Sequence, residues 1–279
     1  MEPVEIHVST LNDYAGCARM VAHKVFANDF ASFGFPVPEK KNFVAGLTGT
    51  AVHASIAALN KIKRDELRLV QGAELETVLD KSVHDFQEAT KDGVEYDATT
   101  KSFDMAAALI KQQSRLYAAK VLPKIYPRLI EHKVRYVITP ETDEHPAYHL
   151  VGTLDIFDDA KFLHDAKSGS RNRNHMYQFG GYVLGLQAEG EQVEGTQSIW
   201  LKRGGKPQDP VIDPYPVRAC RDAAFAMAHQ IVADHKLFMR TGNEWAFRAD
   251  GNNNLCSKKY CSSHGTPACA LGRDKQEEE

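Results

Sequence analysis

Five times in this chain a lysine follows an acid two residues later: Glu39/Lys41, Glu131/Lys133, Asp159/Lys161, Asp165/Lys167 and Asp234/Lys236. The spacing alone is therefore weak evidence for chemistry. One pair stands apart: Asp165 and Lys167 end the apolar run of "KFLHDAK", where period-two alternation sends both side chains to one face. Ten residues upstream, Asp155 sits in "HLVGTLDIF", a second apolar alternating stretch. A hairpin between the two would bring both carboxylates within reach of one cation. Magnesium or manganese takes such hard oxygen ligands together with waters and phosphate oxygens. A bound ion polarises a phosphoryl group and acidifies water, and a lysine beside it can orient that water. The competing reading of these three residues is a hairpin salt bridge.

The elements that must hold them follow from periodicity. Residues 131–139, 149–159 and 161–169 read as strands, the last two joined by a tight turn at "DDAK". "HMYQFGGYVLGLQ" reads as a helix despite its glycines, and it places Gln178 and Tyr182 four apart on one face. "TQSIWLKR" is a further strand, and residues 217–240 form a long helix with Cys220 among its apolar positions. Upstream, helices are expected over residues 9–26, capped by Ser9 or Thr10, and over 47–62, 74–93 and 105–122. Gly93 ends the third, and Pro123 and Pro127 break the continuation of the fourth. The expected fold is α/β, a mixed central sheet flanked by helices, in one domain. It has a mainly helical region over residues 1–125, a sheet-containing core over 126–245 and an irregular cysteine-bearing tail over 246–279.

Composition narrows the class. With 279 residues, 43% hydrophobic and 25% charged, the chain can bury a sizeable core. No apolar run reaches membrane-spanning length, and "MEPVEIHVST" lacks a basic-then-apolar leader, so a cytoplasmic protein without a membrane is expected. The net charge of −3 excludes a uniformly basic nucleic-acid binder. Its distribution is uneven: residues 74–104 hold nine acids, whereas 106–136 hold seven lysines and arginines against Glu131. The second segment is either a local seat for a polyanion or a solvated helix face. The loop "SGSRNRNH" offers Arg171, Arg173 and His175 with hydroxyls and amides, donors suited to a phosphate backbone and without a base-reading code.

Taken together, "GTLDIF", "HDAKSG" and "QFGGY" resemble the PD-(D/E)XK nuclease superfamily in its RecB-like exonuclease branch, which includes nucleases of CRISPR adaptation and phage recombination exonucleases. Gly152, Asp155, Asp165, Lys167, Gln178 and Tyr182 stand at that pattern's positions, and Gly49 and His53 in "GTAVHASI" match its upstream Gly-x-x-x-His element. The resemblance implies a restriction-endonuclease-like fold and a magnesium- or manganese-dependent DNA exonuclease. Catalytic roles would fall to Asp155, Asp165, Lys167, Gln178 and Tyr182. Metal contacts would come from His53, Asp155, Asp165, the Ala166 carbonyl and Glu131. DNA is the implied partner, without strong sequence preference, in a bacterial or phage-infected cytoplasm and in recombination, repair or phage replication. A homo-oligomer or a recombination partner protein would accompany it. Two rivals stay open: a catalytically silent, nuclease-fold DNA-binding subunit of a larger complex, and a cysteine-rich interaction protein.

Five cysteines, an odd number, make a poor disulfide framework, and three of them crowd the last 24 residues. That crowding suggests thiolate ligands. In the RecB-like branch one N-terminal and three C-terminal cysteines often hold a four-iron, four-sulfur cluster, and Cys17, Cys256, Cys261 and Cys269 match that distribution. Two departures stand out: Ala18 follows Cys17 where the family often has proline, and the C-terminal gaps are wider than the common form. Zinc and free thiols are the alternatives. Cys220 reads as a core residue.

Overall fold

One long strand organises the sheet. In the computed structural model, which describes residues 2–38, 43–204, 208–253, 256–258 and 260–269, β3 (Tyr148–Asp158) pairs antiparallel with β2 (Pro127–Thr139) along one whole edge. Its opposite edge is shared. β1 (Val4–His7) pairs parallel with residues 148–151, and β4 (Phe162–Lys167) pairs antiparallel through Ile156↔His164 and Phe157↔Leu163. β4 continues parallel to β5 (Gly195–Trp200), and antiparallel β6 (Val211–Tyr215) forms the far edge. The sheet is mixed, and on this edge of β3 it forks. β1 stops at Val151 and the β4 ladder begins at Ile156, so residues 152–155 line the opening.

Helices cover both faces, as the alternating strands require. On one side α4 (Val44–Glu66), α5 (Gly72–Thr90) and α6 (Phe103–Lys120) bury Val52, Ile56, Phe86, Ile110 and Tyr117 with Ile156, Ala166 and Ile199. On the other lie α1 (Thr10–Gly16), α2 (Ala18–Val25), α3 (Ala27–Ser32), α7 (Met176–Ala188) and α8 (Val217–Thr241). There Phe30, Phe179, Val183, Ile231, Phe238 and Phe247 pack with Leu150, Phe157 and Leu163. Each such fully buried large apolar side chain contributes roughly 1.5–3 kcal/mol against exposure. Cys220 lies in this core, fully buried.

The glycines of "QFGGYVLGL" have a packing reason. A Cβ at Gly180 would overlap the Cys220 carbonyl of α8, and one at Gly185 would meet Val134 Cβ at 2.5 Å. α7 is thus pressed between α8 and the sheet, and residues 178–186 are all buried.

Several sequence expectations change. Residues 9–26 are two helices rather than one, because Cys17 adopts an extended conformation (φ −152°, ψ 98°) between α1 and α2. Ser9 makes no side-chain cap there, whereas Thr10 Oγ1 donates to the His7 carbonyl. β2 begins at Pro127, four residues before the expected strand start, and β5 ends at Trp200, before the expected Arg203. β1, α3 and β6 went unread: β1 has four residues, and β6 carries Pro214 on an exposed edge, where proline is tolerated. No helix among the described residues is long and apolar enough to cross a membrane.

Candidate functional site

The fork in the sheet is where the chemistry-bearing residues meet. β3 delivers Asp155 and β4 delivers Asp165, opposite each other by continuation of the register, and both are buried. Opening the sheet here lets both helical layers reach the same point. From α4, His53 Nδ1 lies 3.1 Å from Asp155 Oδ1. One turn earlier, Gly49 allows α4 to lie against the loop after β4, since a Cβ there would stand 3.2 Å from Ser168 Oγ. From α7, Gln178 Oε1 accepts from Lys167 Nζ at 2.9 Å, and Gln178 Nε2 donates to Tyr182 Oη at 3.0 Å. Lys167 Nζ also lies 2.5 Å from Asp165 Oδ2. The Ala166 N–H donates to Asp155 Oδ2 at 2.8 Å.

Glu131 completes the set in an unusual way. It sits on β2 between the ladder pairs Ile130↔Ile156 and His132↔Leu154, across from Asp155. Its φ is +49°, a left-handed conformation that costs a non-glycine residue about 1–2 kcal/mol. Backbone strain of this kind gathers where a side chain must be aimed. The result is that His53, Glu131 and Asp155 each present a ligand atom within 4.8 Å of the other two. Asp165 is outside this trio; its carboxylate is turned to Lys167.

The charges are strongly coupled. Burial by itself disfavours the His53 imidazolium, but the adjacent Asp155 carboxylate overrides it and lifts His53 to about 9. Burial likewise works against Asp155, yet His53, Lys167 and the Ala166 N–H hold its carboxyl below the ordinary value. Asp165 is pushed up to about 6 by burial and by Asp155, against the pull of Lys167 and His53. Enclosure by protein and the Asp155 charge raise Glu131 as well. Asp165 and Glu131 both stand beside the Asp155 carboxylate, and a cation would relieve that crowding of negative charge once His53 gives up its proton.

Beyond Lys167 a cleft of about 370 Å³ opens, lined by His53, Ser168, Ser170, Arg171, Arg173, His175 and Arg203 among others. Its loop is pinned by its backbone. The Gly169 carbonyl accepts from Trp200 Nε1 (2.9 Å) and from the Arg203 N–H (3.1 Å), and Gln113 Nε2 reaches the Ser168 carbonyl (3.3 Å). Asn172 Nδ2 donates to Asp213. Arg171 and Arg173 are exposed. His175 is driven down to about 4 by burial and by Lys167 and Arg173, so it faces the cleft as a neutral imidazole. The basic segment 106–136, by contrast, is largely neutralised. Lys111 pairs with Asp80, Arg115 with Glu76 (2.7 Å), Arg128 with Glu191 (2.7 Å) and Arg135 with Glu5 (2.8 Å).

A second cluster forms where the tail meets α1 and α2. Cys17, Cys256, Cys261 and Cys269 line one small cavity with Met20, Ala249, Asp250 and Asn253. Burial, followed by the nearby Cys269, Cys17 and Cys256, raises the Cys261 thiol. Among the described residues, no three cysteine sulfurs come within 4.8 Å of one another as the His53 trio does. The tail is tied down by His23 Nδ1 to Ser263 Oγ (2.6 Å) and by the Arg19 N–H to the Arg248 carbonyl (3.0 Å).

Two residues at these sites escaped the sequence reading. Arg203 fell at the end of an expected strand. Arg19 sat in an expected amphipathic helix, yet it is fully buried: its guanidinium lies 4.1 Å from the Trp245 ring centroid and donates to the Phe247 carbonyl. No local sequence signal marks either one.

No protein-family model matches the chain, and no curated protein matches it. Seven solved chains do. One is a protein from Eubacterium rectale described as a "putative exonuclease": it is 14% identical, the match covers 91% of this chain and 87% of that one, and the TM-score is 0.54. At that identity the likeness shows a shared fold.

Proposed function

We propose that this chain is a divalent-metal-dependent DNA nuclease of the PD-(D/E)XK superfamily, RecB-like branch, hydrolysing phosphodiester bonds at DNA ends. The reading rests above all on the fork that gathers His53, Glu131 and Asp155 beside Asp165 and Lys167. The fold shared with a protein described as a "putative exonuclease" supports it.

The donors fit a magnesium or manganese ion through their two carboxylates, which supply hard oxygens, with the imidazole as the one softer donor of the set. His53, Glu131 and Asp155 would hold it, with Asp165 and the Ala166 carbonyl adjacent. Such an ion supplies Lewis-acid polarisation of the phosphoryl group and acidifies water at neutral pH. The chain's own residues do the rest. Lys167, fixed between Asp165 and Gln178, orients the attacking water and offsets charge building on the phosphate. Tyr182 anchors Gln178 and so holds the lysine's direction. Water oxygen bonds to phosphorus as the P–O bond to the leaving nucleotide breaks, with no covalent enzyme intermediate. Arg171, Arg173 and the neutral His175 hold the strand through phosphates, without base readout.

The four cysteines would carry a four-iron, four-sulfur cluster that closes the chain's two ends onto each other. Tetrahedral zinc, with Zn–S near 2.3 Å, draws its sulfurs to about 3.8 Å apart. A four-iron, four-sulfur cluster takes four thiolates, the number that line this one cavity. Anaerobic purification decides it: brown protein with stoichiometric iron and sulfide is expected, and a colourless zinc protein refutes the cluster.

The enzymatic test is end-labelled linear and circular DNA incubated with magnesium or manganese. Linear DNA should be digested from its ends and circles spared. Lys167→Ala should lower cleavage by more than about 100-fold while leaving binding in calcium largely intact. Undiminished cleavage by that variant sinks the assignment.

A further inference from the structure

We infer that Arg203 forms a dedicated phosphate subsite in the cleft, anchoring a phosphate of the bound strand other than the one being cleaved. The inference rests on the nuclease reading for the identity of the strand, and on the geometry of the cleft for the site itself.

Arg203 lies three residues beyond β5, and its backbone N–H is bound to the Gly169 carbonyl, so the segment carrying Arg203 runs beside the loop after Lys167 and both line one cleft. The residue is 8% exposed. A guanidinium buried to this degree ordinarily spends its five donors on carboxylates or carbonyls, because an unpaired buried charge is costly. Here it does not. Among the described residues its one ion pair is a long one, Nη2 to Asp97 Oδ2 at 3.6 Å, and its Nε has no hydrogen-bond partner. Asp97 is held by its other oxygen, Oδ1, which accepts from the Thr99 N–H (2.7 Å), the Thr99 hydroxyl (2.5 Å) and the Thr100 N–H (2.9 Å), so Oδ2 stands at its long distance from the guanidinium.

A cation placed, buried and left short of acceptors in a cleft is prepared for an anion that arrives with its own oxygens. Phosphate matches a guanidinium fork with two parallel hydrogen bonds. The neighbours agree: Ser168 and Ser170 hydroxyls, Arg171 and Arg173 face the same space. The scissile phosphate belongs beside Lys167 and the His53 trio. Arg203 therefore serves a flanking phosphate, which is either an internal phosphodiester or a terminal phosphate.

The test is fluorescence anisotropy of a short single-stranded DNA, with a 5′-phosphate or a 5′-hydroxyl, binding to the full-length protein in calcium. Arg203→Gln should weaken binding on the order of 10- to 100-fold and make the salt dependence shallower by about one phosphate contact. Arg203→Lys, a point charge without the fork, should recover only part of that loss. If the loss needs the 5′-phosphate, the anchored group is terminal; if it is equal for both strands, it is internal. Asp97→Asn removes the arginine's ion pair while keeping the guanidinium, so phosphate binding should persist or tighten. Unchanged binding and salt slope in Arg203→Gln overturn the inference. So does an equal loss in Asp97→Asn and Arg203→Gln with a parallel drop in melting temperature, which marks a purely structural salt bridge. Wild-type cleavage is measured alongside: no cleavage with any metal refutes the nuclease reading, while the binding result still judges the subsite.

Discussion

Asp155→Asn, examined without metal, probes the electrostatic heart of the site. In the wild-type fold His53 titrates at about 9 against an ordinary 6.5, although burial alone would lower it. That gap corresponds to roughly 3 kcal/mol favouring the imidazolium, with the Asp155 carboxylate as its main source. Asparagine is nearly isosteric and retains an oxygen for the Ala166 N–H, so the strand geometry should hold. The burial cost would then be opposed mainly by Asp165, and His53 should fall by about two pH units, most of the way back toward its ordinary value. Histidine-selective NMR titration of metal-free protein reads this directly, with His53→Gln identifying the signal. The consequence for stability has a definite sign. A group raised in the folded state stabilises fully below its unfolded pKa and loses that contribution as pH climbs through the folded one. Wild type should therefore lose stability between about pH 6.5 and 9, by an amount on the order of 3 kcal/mol, and Asp155→Asn should be nearly flat across that window. A His53 pKa in Asp155→Asn equal to that in wild type would refute the coupling, and with it the arrangement of the proposed metal site.

The remaining expectations are simpler to read. Manganese binding must displace the His53 proton, so its affinity should climb nearly tenfold per pH unit up to about pH 9; calorimetry in two buffers gives both the affinity and the released proton, and a pH-independent affinity contradicts His53 as a ligand. Gly180→Ala should destabilise the fold by about 1–3 kcal/mol or more, because its Cβ would overlap the Cys220 backbone; an unchanged melting temperature would show that α7 and α8 can separate without cost. Arg171→Ala and Arg173→Ala should each make the logarithmic salt dependence of single-strand binding shallower by about 0.7, with no change in base preference.

The strands carrying Asp155 and Asp165, the turn between them, the helix with Gln178 and Tyr182, and the placement of Cys220 in the core were all readable from the chain alone. Each depends on local periodicity, and residues two or four apart share a face whatever else the fold does. Matching motifs in order also singled out His53 and Glu131 before any contact was seen. What the sequence could not supply is non-local. The extended Cys17 that splits one expected helix, and the short edge strands β1 and β6, answer to distant partners rather than to local preference. The same holds for the fork at residues 152–155, because register between strands is set by burial on both faces at once. The basic segment read equally as a seat for a polyanion or a solvated face until α5 packed beside α6 and paired Lys111 and Arg115 with its acids. Arg203 could be weighed only once burial and missing partners were known, because how a buried charge is compensated depends on what the fold brings to its side.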